Sequence, residues 1–110
     1  MPKRIEQVNE FLRREIAWAI ERYVELPDAL ATVTVVTAAP DLRTANVSIS
    51  ILPSGKAGSG MQAIRRQRNL IYTALKKRVS WRTIPALTFH FDDTHKQAAD
   101  IQTAIAGATR

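Results

Sequence analysis

Residues Met61–Arg82 read MQAIRRQRNLIYTALKKRVSWR, and the pattern of this stretch decides the fold. It contains seven basic side chains and no carboxylate. Its apolar residues at helical spacing are Ile64, Ile71, Leu75 and Val79. On a wheel that turns about 100° per residue, the basic residues on a different side are Arg65, Arg66, Lys76 and Lys77. The stretch therefore predicts a helical element that covers a core with one face and meets a polyanion with another.

One unbroken helix does not fit this pattern, because it would place Arg68 within the apolar stripe. A break at Gln67-Arg68-Asn69 removes the conflict, since each half can then set its own phase. Asn69 suits a break because Asn tolerates the left-handed conformation. We therefore predict two helices, Gly60–Arg68 and Leu70–Ser80, joined by an interhelical kink. The alternative is one bent helix from which Arg68 extends to solvent.

The composition narrows the class of protein. The chain has 110 residues, of which 45% are apolar and 24% charged, and this is typical of one globular domain. The absence of Cys excludes disulfides, thiolate metal sites and thiol catalysis. No signal peptide or membrane span is visible, so we expect a cytoplasmic protein without a membrane partner. The net charge is +6, and residues 42–91 hold nine bases and no acid, which favours an anionic partner.

The rest of the chain predicts further elements on either side of the basic stretch. A helix is expected over residues 4–25, and Pro27 ends it. The predicted strands are Ala31–Thr37, Thr44–Leu52 and Ala86–Phe91, and Pro53–Gly60 is a predicted flexible loop. Residues 1–93 would form a single domain, and residues 94–110 a short C-terminal helix that frays into a tail.

The strands alternate between apolar and polar residues. In the second strand, the residues expected to face one way are Ala45, Val47, Ile49 and Ile51. In the first, Val33 and Val35 alternate with threonines, and in the third His90 points outward. The short link between the first two strands predicts antiparallel pairing. The pattern indicates an α+β fold in which helices pack on one face of a three-stranded sheet and the other face is polar.

This order is that of a KH-like domain in its type II arrangement, α-β-β-α-kink-α-β. The residues resemble the ribosome-binding factor A family, bacterial assembly factors of the small ribosomal subunit. The matching pieces are Val8-x-Glu10-x-x-x-Arg14-Glu15-Ile16, Val33-Thr34-Val35, Pro40-Asp41-Leu42-Arg43-x-Ala45-x-Val47-x-Ile49-x-Ile51-Leu52, Leu75-x-Lys77-Arg78-Val79 and Pro85-x-Leu87-x-Phe89-x-x-Asp92. They occur in the family's order over nearly the whole domain.

The resemblance implies a monomeric, non-catalytic protein without a cofactor or small-molecule substrate. Such a protein would bind the free small (30S) ribosomal subunit and its 16S rRNA. It would aid late maturation, including processing of the RNA's 5′ end. The family has an Ala-x-Gly kink between the two central helices, and here Gln67-Arg68-Asn69 stands in its place. The alternative is a generic single-domain KH-like protein that binds RNA or DNA.

The basic residues are the predicted RNA-binding site, because Arg and Lys neutralise phosphates and release counterions. The predicted contacts are Arg65, Arg66, Arg68, Lys76, Lys77 and Arg78, extended by Arg43 and Arg82. Trp81 could stack on a base, although a core position is the commoner role for a lone Trp. The polar sheet face carries no aromatic platform, so we expect recognition of shape and backbone more than of base sequence.

A second motif competes with this site. Gly55-Lys56-Ala57-Gly58 fits the GxxG pattern with which KH domains clamp a nucleic-acid backbone, so Gly55, Lys56 and Gly58 form a possible backbone-contact loop. In KH domains, however, GxxG joins two helices. Here it directly follows a predicted strand, which weakens the assignment.

An enzymatic function finds little support. His90, Asp92 and His95 superficially suggest the metal site of a hydrolase. A strand end followed by a helix cap accounts for the same residues. Nucleophile-elbow, Walker and dinucleotide motifs are absent from the sequence. We therefore expect no catalytic residues and no metal.

Overall fold

The computed structural model describes residues 2–93, so the C-terminal helix predicted within residues 94–110 lies outside the described residues. The order within this range is one helix, two strands, a short 3-10 turn, two helices and a strand. The elements are α1 (Pro2–Tyr23), β1 (Leu30–Ala38), β2 (Thr44–Leu52), the turn (Ser54–Lys56), α2 (Ala57–Arg66), α3 (Arg68–Arg78) and β3 (Ala86–Phe91). This order confirms the predicted α+β class, and the bounds of β2 and β3 are those predicted.

The three strands form one sheet in the order β1-β2-β3. β1 and β2 pair antiparallel, as predicted from their short link. β3 runs parallel to β2, with Ala45 opposite Leu87 and Val47 opposite Phe89. A parallel pair needs a crossover connection, and α2 and α3 together provide it. β1 and β3 are therefore the two edge strands.

The core lies between the helices and one face of the sheet. The residues of β2 that alternation assigned to the apolar face are all buried, and they are Ala45, Val47, Ile49 and Ile51. The residues of the helical pair that were predicted to cover the core are buried too, and they are Ile64, Ile71, Leu75 and Val79. The opposite face of the sheet is exposed or half-buried.

α1 packs along this core because its apolar residues recur every three or four positions. Leu12, Ile16 and Ala19 are fully buried. The helix begins at Pro2 and ends at Tyr23, in each case two residues earlier than predicted. After it, Asp28 has a φ of 57°, a left-handed conformation that Asp tolerates better than most residues.

The alternation predicted for β1 is wrong at Val35, whose exposed fraction is 52%. The register of the β1–β2 pair shifts between Val33 and Val35, which marks a β-bulge with Thr34 as the extra residue. The bulge places Val35 on the polar side and returns Val36, at 3% exposed, to the core. Sequence alternation cannot show such a shift, since the extra residue is itself an ordinary strand former.

The flexible loop predicted for Pro53–Gly60 is also wrong over most of its length. The 3-10 turn and the first turn of α2 occupy residues 54–60. Gly60 is buried, and a Cβ built at this position would lie 2.8 Å from Ile51 Cδ1. The glycine therefore allows α2 to lie close to β2, and a larger residue would require the side chain of Ile51 to shift.

Candidate nucleic-acid interface

The central helices are broken at Gln67, whose φ and ψ are −99° and 15°. The predicted kink is therefore present, but it falls at the first of the three predicted residues. Asn69 lies in the first turn of α3, and the positive-φ non-glycine residues within residues 2–93 are Asp28 and Leu42. The expectation that Asn69 would make the break in a left-handed conformation is thus wrong.

The side chain of Gln67 explains why the break lies there. Its Oε1 accepts a hydrogen bond from the Glu25 backbone N–H at 3.0 Å, and its Nε2 donates to the Glu25 carbonyl at 2.9 Å. Nε2 also lies 3.2 Å from the Ala63 carbonyl, in the last turn of α2. The amide thus ties the kink to the segment that follows α1. Sequence reasoning missed this contact, because the two residues are 42 positions apart.

The basic residues flank the kink and continue along α3. Arg65 and Arg66 form the last turn of α2, Arg68 begins α3, and Lys76, Lys77 and Arg78 form its last turn. All six residues are exposed. The ion pairs formed among residues 2–93 involve Arg13, Arg43 and Arg78. Arg66, Arg68, Lys76 and Lys77 therefore present cationic groups to solvent.

Arg65 leans across the edge of β3. Its Nη2 donates a hydrogen bond to the Phe89 carbonyl at 2.8 Å. Arg65 and Arg68 line one side of a groove of about 350 Å³, and residues 87–90 of β3 line the other. The groove places two guanidinium groups beside an edge strand, where an extended polyanion could lie.

Arg78 is engaged by the protein itself. Its Nε donates to the two carboxylate oxygens of Glu15, at 2.9 and 3.0 Å. Its guanidinium carbon lies 4.2 Å from the centre of the Trp18 ring, a cation–π arrangement. Arg78 thus links α3 to α1. Trp18 is half-buried and packs against the edge of the core.

Arg43 and Arg82 are brought together in a second groove of about 690 Å³. Trp81 also lines this groove and packs on Phe11, with 5.8 Å between the ring centres. It is half-buried, so its role combines packing with a surface on the groove. The side chain of Arg43 is 86% exposed, and its nearest carboxylate oxygen, on Asp41, is 4.0 Å away.

The GxxG motif follows β2 and leads directly into α2. Gly55 and Lys56 belong to the 3-10 turn, and Gly58 lies in the first turn of α2. The motif therefore does not join two helices as it does in a KH clamp. Gly55 and Gly58 are exposed, and a Cβ at either position would meet nothing within 4 Å. Packing does not require glycine at these two positions.

The suggested metal site is not assembled within residues 2–93, where no group of three or more His, Cys, Asp or Glu side chains could hold an ion. His90 points outward, as predicted, and its Nε2 lies 3.0 Å from Asn46 Oδ1. Asp92 Oδ2 accepts a hydrogen bond from Thr34 Oγ1 at 2.6 Å. His95 lies outside the described residues.

None of the described helices is both long enough and apolar enough to cross a bilayer.

Known proteins resemble this chain over most of its length. The family model described as ribosome-binding factor A matches residues 4–105. The ribosome-binding factor A of Akkermansia muciniphila is 33% identical over 101 residues, which cover 92% of this chain and 81% of the relative. That of Chloroherpeton thalassium is 33% identical over 111 residues, with 98% and 89% covered.

Solved structures agree with this relationship. The crystal structure of ribosome-binding factor A from Thermus thermophilus has a TM-score of 0.70 and 25% identity, and covers 79% of this chain and 93% of its own. A T. thermophilus homology model, fitted into the cryo-EM map of a 30S complex of the factor, has a TM-score of 0.63 and 26% identity, with 76% and 90% covered. The fold is accordingly KH-like. This chain belongs to the ribosome-binding factor A family.

Proposed function

We propose that this protein binds the free small ribosomal subunit in the cytoplasm through its 16S rRNA, and that it aids late maturation of that subunit. The observation that carries the proposal is the row of exposed basic side chains on either side of the Gln67 kink. Carboxylates are absent from residues 42–91, so the basic side chains have no acidic neighbour along this part of the chain, and the acidic partner among them is Glu15 of α1, beside Arg78. The T. thermophilus homology model fitted into the cryo-EM map of a 30S complex of the factor supports the small subunit as the partner.

The proposed RNA contacts divide into two groups. The first flanks the kink and follows α3, and it comprises Arg65, Arg66, Arg68, Lys76, Lys77 and Arg78. The second is the groove of Arg43 and Arg82. Arg65 and Arg78 also make the intramolecular contacts described above, so we expect their substitution to affect folding as well as binding.

The interaction should be strongly salt-dependent. Neutralisation of four phosphates lowers affinity about a hundredfold for a fourfold rise in salt concentration. The chemistry offered is the positioning of RNA by phosphate contacts, not bond making or breaking, because the groups that meet the RNA are cations rather than acid–base pairs. We propose that the effect on 5′-end processing arises from the RNA conformation that the bound protein favours.

Co-sedimentation with purified free small subunits, whole ribosomes and unrelated RNA tests this function. We expect salt-sensitive binding to free small subunits that is weaker for whole ribosomes. The variant Arg68→Ala/Lys76→Ala/Lys77→Ala should lose most of this binding. The matched control Arg4→Ala/Arg14→Ala/Arg22→Ala removes the same charge from α1 and should bind nearly as well as the parent. Equal binding to every RNA would favour the generic KH-like module instead.

A cellular readout tests the maturation step separately. Cells that depend on the α3 triple variant should accumulate precursor 16S rRNA with an unprocessed 5′ end, whereas cells with the α1 control should not. Normal processing together with lost sedimentation would contradict the proposed link between binding and maturation.

A further inference from the structure

Among residues 2–93, β1 is an edge strand that the bulge at Thr34 interrupts and with which no further strand pairs. Its nine residues, Leu30–Ala38, contain no proline and no charge. Leu30 is 74% exposed and Val35 is 52% exposed. Natural proteins usually blunt such an edge with charge, proline, a bulge or a covering element, because an open edge pairs with other chains, and of the first three β1 has the bulge alone.

The hydrogen-bond register shows which backbone groups this edge offers. Ala39 N–H donates to Thr44 O at 2.9 Å at the hairpin end of the β1–β2 ladder. In an antiparallel pair, every second residue directs its backbone N–H and C=O to the neighbouring strand, and the residues in between direct theirs away. Counting from Ala39, the backbone N–H and C=O of Ala38 and Val36 therefore point away from β2. On the other side of the bulge, the β1 residues whose side chains face the helices are Val33 and Ala31. Their backbone N–H and C=O also point away from β2.

One of these outward N–H groups already has an acceptor, as the others would have if a further strand paired with β1. The Ala38 N–H donates to the Asn9 side-chain Oδ1 of α1 at 2.8 Å. Asn9 thus acts as an acceptor placed beside the edge. Farther along β1, the outward N–H groups of Ala31, Val33 and Val36 have the same orientation.

A groove runs between β1 and α1 along these groups. It consists of two cavities of about 450 and 270 Å³, and Arg13 lines both. Ala17, Ile20 and Val24 provide apolar lining in the larger one. An extended chain paired with β1 would therefore bury alternate side chains against α1.

The groove is acidic, whereas the surface of α2 and α3 beside the Gln67 kink is basic. Its lining includes the carboxylates of Glu6, Glu10 and Glu21 and one cation, Arg13. Arg13 Nη2 lies 2.6 Å from Glu10 Oε1, and the hydrogen bond from Arg13 holds the pKa of that carboxyl below its ordinary value. Because Arg13 offsets the charge of Glu10, the carboxylates of Glu6 and Glu21 give the groove its negative charge, which attracts cations and repels phosphates.

We propose that β1 accepts an extended, Lys- or Arg-rich segment of another protein as a fourth strand. Backbone hydrogen bonds would provide affinity, and the carboxylates of the groove would select basic side chains. A second copy of β1 does not meet this requirement, because the sequence LATVTVVTA has no basic residue. Nucleic acid does not meet it either, because the carboxylates repel it. The proposal does not depend on the RNA-binding role of the kink.

NMR titration of the isotope-labelled full chain tests the proposal. The probe is a short synthetic peptide in which lysine alternates with valine or threonine. We expect the largest amide shifts at Ala31, Val33 and Val36, and little change along α3. A peptide with proline at alternate positions and one with glutamate in place of lysine should both fail to bind. Equal binding of either peptide, or shifts centred on α3, would overturn the proposal.

Two variants and one control localise the binding. Ala31→Pro removes an outward N–H without breaking the β1–β2 ladder, and we expect it to weaken the peptide about fivefold. Glu21→Gln should weaken it about threefold, whereas the control Asp41→Asn, which removes the same charge outside the groove, should not. Far-UV circular dichroism verifies that each variant is folded. Unchanged binding in a folded Ala31→Pro variant excludes strand addition, and concentration-dependent dimerisation through β1 would identify a second copy as the occupant.

Discussion

The side-chain amide of Gln67 forms hydrogen bonds with both backbone groups of Glu25, at 3.0 and 2.9 Å. This pair holds the kink between α2 and α3 against the segment that follows α1. The resemblance implies an Ala-x-Gly kink in the family, whose alanine could not make these bonds. In this chain the break has an ordinary φ of −99° and is held by a side-chain clamp.

Loss of the clamp should cost stability. Gln67→Ala removes both bonds to Glu25, and because the site is exposed we expect a loss of about 1 kcal/mol in the free energy of unfolding. Gln62→Ala, at an exposed position of α2, is the control and should change it little. Chemical denaturation measures both. Equal changes in the free energy of unfolding for the two variants would show that the hydrogen bonds between Gln67 and Glu25 contribute nothing to stability.

Gly60 should resist substitution because of Ile51. Gly60→Ala places a Cβ 2.8 Å from Ile51 Cδ1, and overpacking of this kind costs about 1–3 kcal/mol. Gly58→Ala, in the same helix but in open space, should instead stabilise the protein by about 0.5–1 kcal/mol.

A double-variant cycle isolates the Gly60–Ile51 contact. Ile51→Val removes Cδ1 and should reduce the cost of Gly60→Ala, so that the two changes together destabilise by less than their sum. Thermal or chemical unfolding gives the coupling. If the free-energy changes of the two single variants simply add, the cost of Gly60→Ala does not arise from its contact with Ile51 Cδ1.

Arg78 should contribute more to folding than to RNA affinity. Arg78→Ala removes the pair with Glu15 and the stack on Trp18, and we expect a loss of about 1 kcal/mol, since the arginine side chain is 45% exposed. Arg78→Lys keeps the charge but not the planar stack, so it should restore only part of the stability. Full restoration by Lys would mean that the charge alone matters.

The salt dependence of RNA binding should distinguish free cations from engaged ones. For the variant Arg68→Ala/Lys76→Ala/Lys77→Ala, the slope of log affinity against log salt should fall by about 2–3. The slope for Arg78→Ala should fall by well under about 0.7, the share of one full phosphate contact, because its guanidinium is already held by Glu15. Filter binding to small-subunit RNA over a salt series gives both values. A larger change for Arg78→Ala would assign it a direct phosphate contact.

Local patterns were sufficient to predict much of this molecule. The alternation in residues 44–52 and 86–91 predicted β2 and β3 to the residue, and the helical wheel of Met61–Arg82 predicted four of its core residues and the presence of a break. These features follow from sequence because strand and helix periodicities are properties of neighbouring residues. The clustering of basic residues is likewise visible in the sequence, and the structure shows that Arg66, Arg68, Lys76 and Lys77 are exposed.

The rest depended on contacts between residues distant in the chain. Glu25 and Gln67 are 42 positions apart, and Glu15 and Arg78 are 63 apart, so no local pattern could show that the first pair sets the kink and the second engages a predicted RNA contact. The bulge at Thr34 exists only as a register between two strands, and the space beside Gly60 exists only where α2 meets Ile51. Most of the elements, most of the buried faces and the segregation of charge could be predicted from local sequence patterns. Tertiary structure alone decided which charged side chains stay free and which pack against the protein, because a side chain's partners depend on how the elements are packed in space.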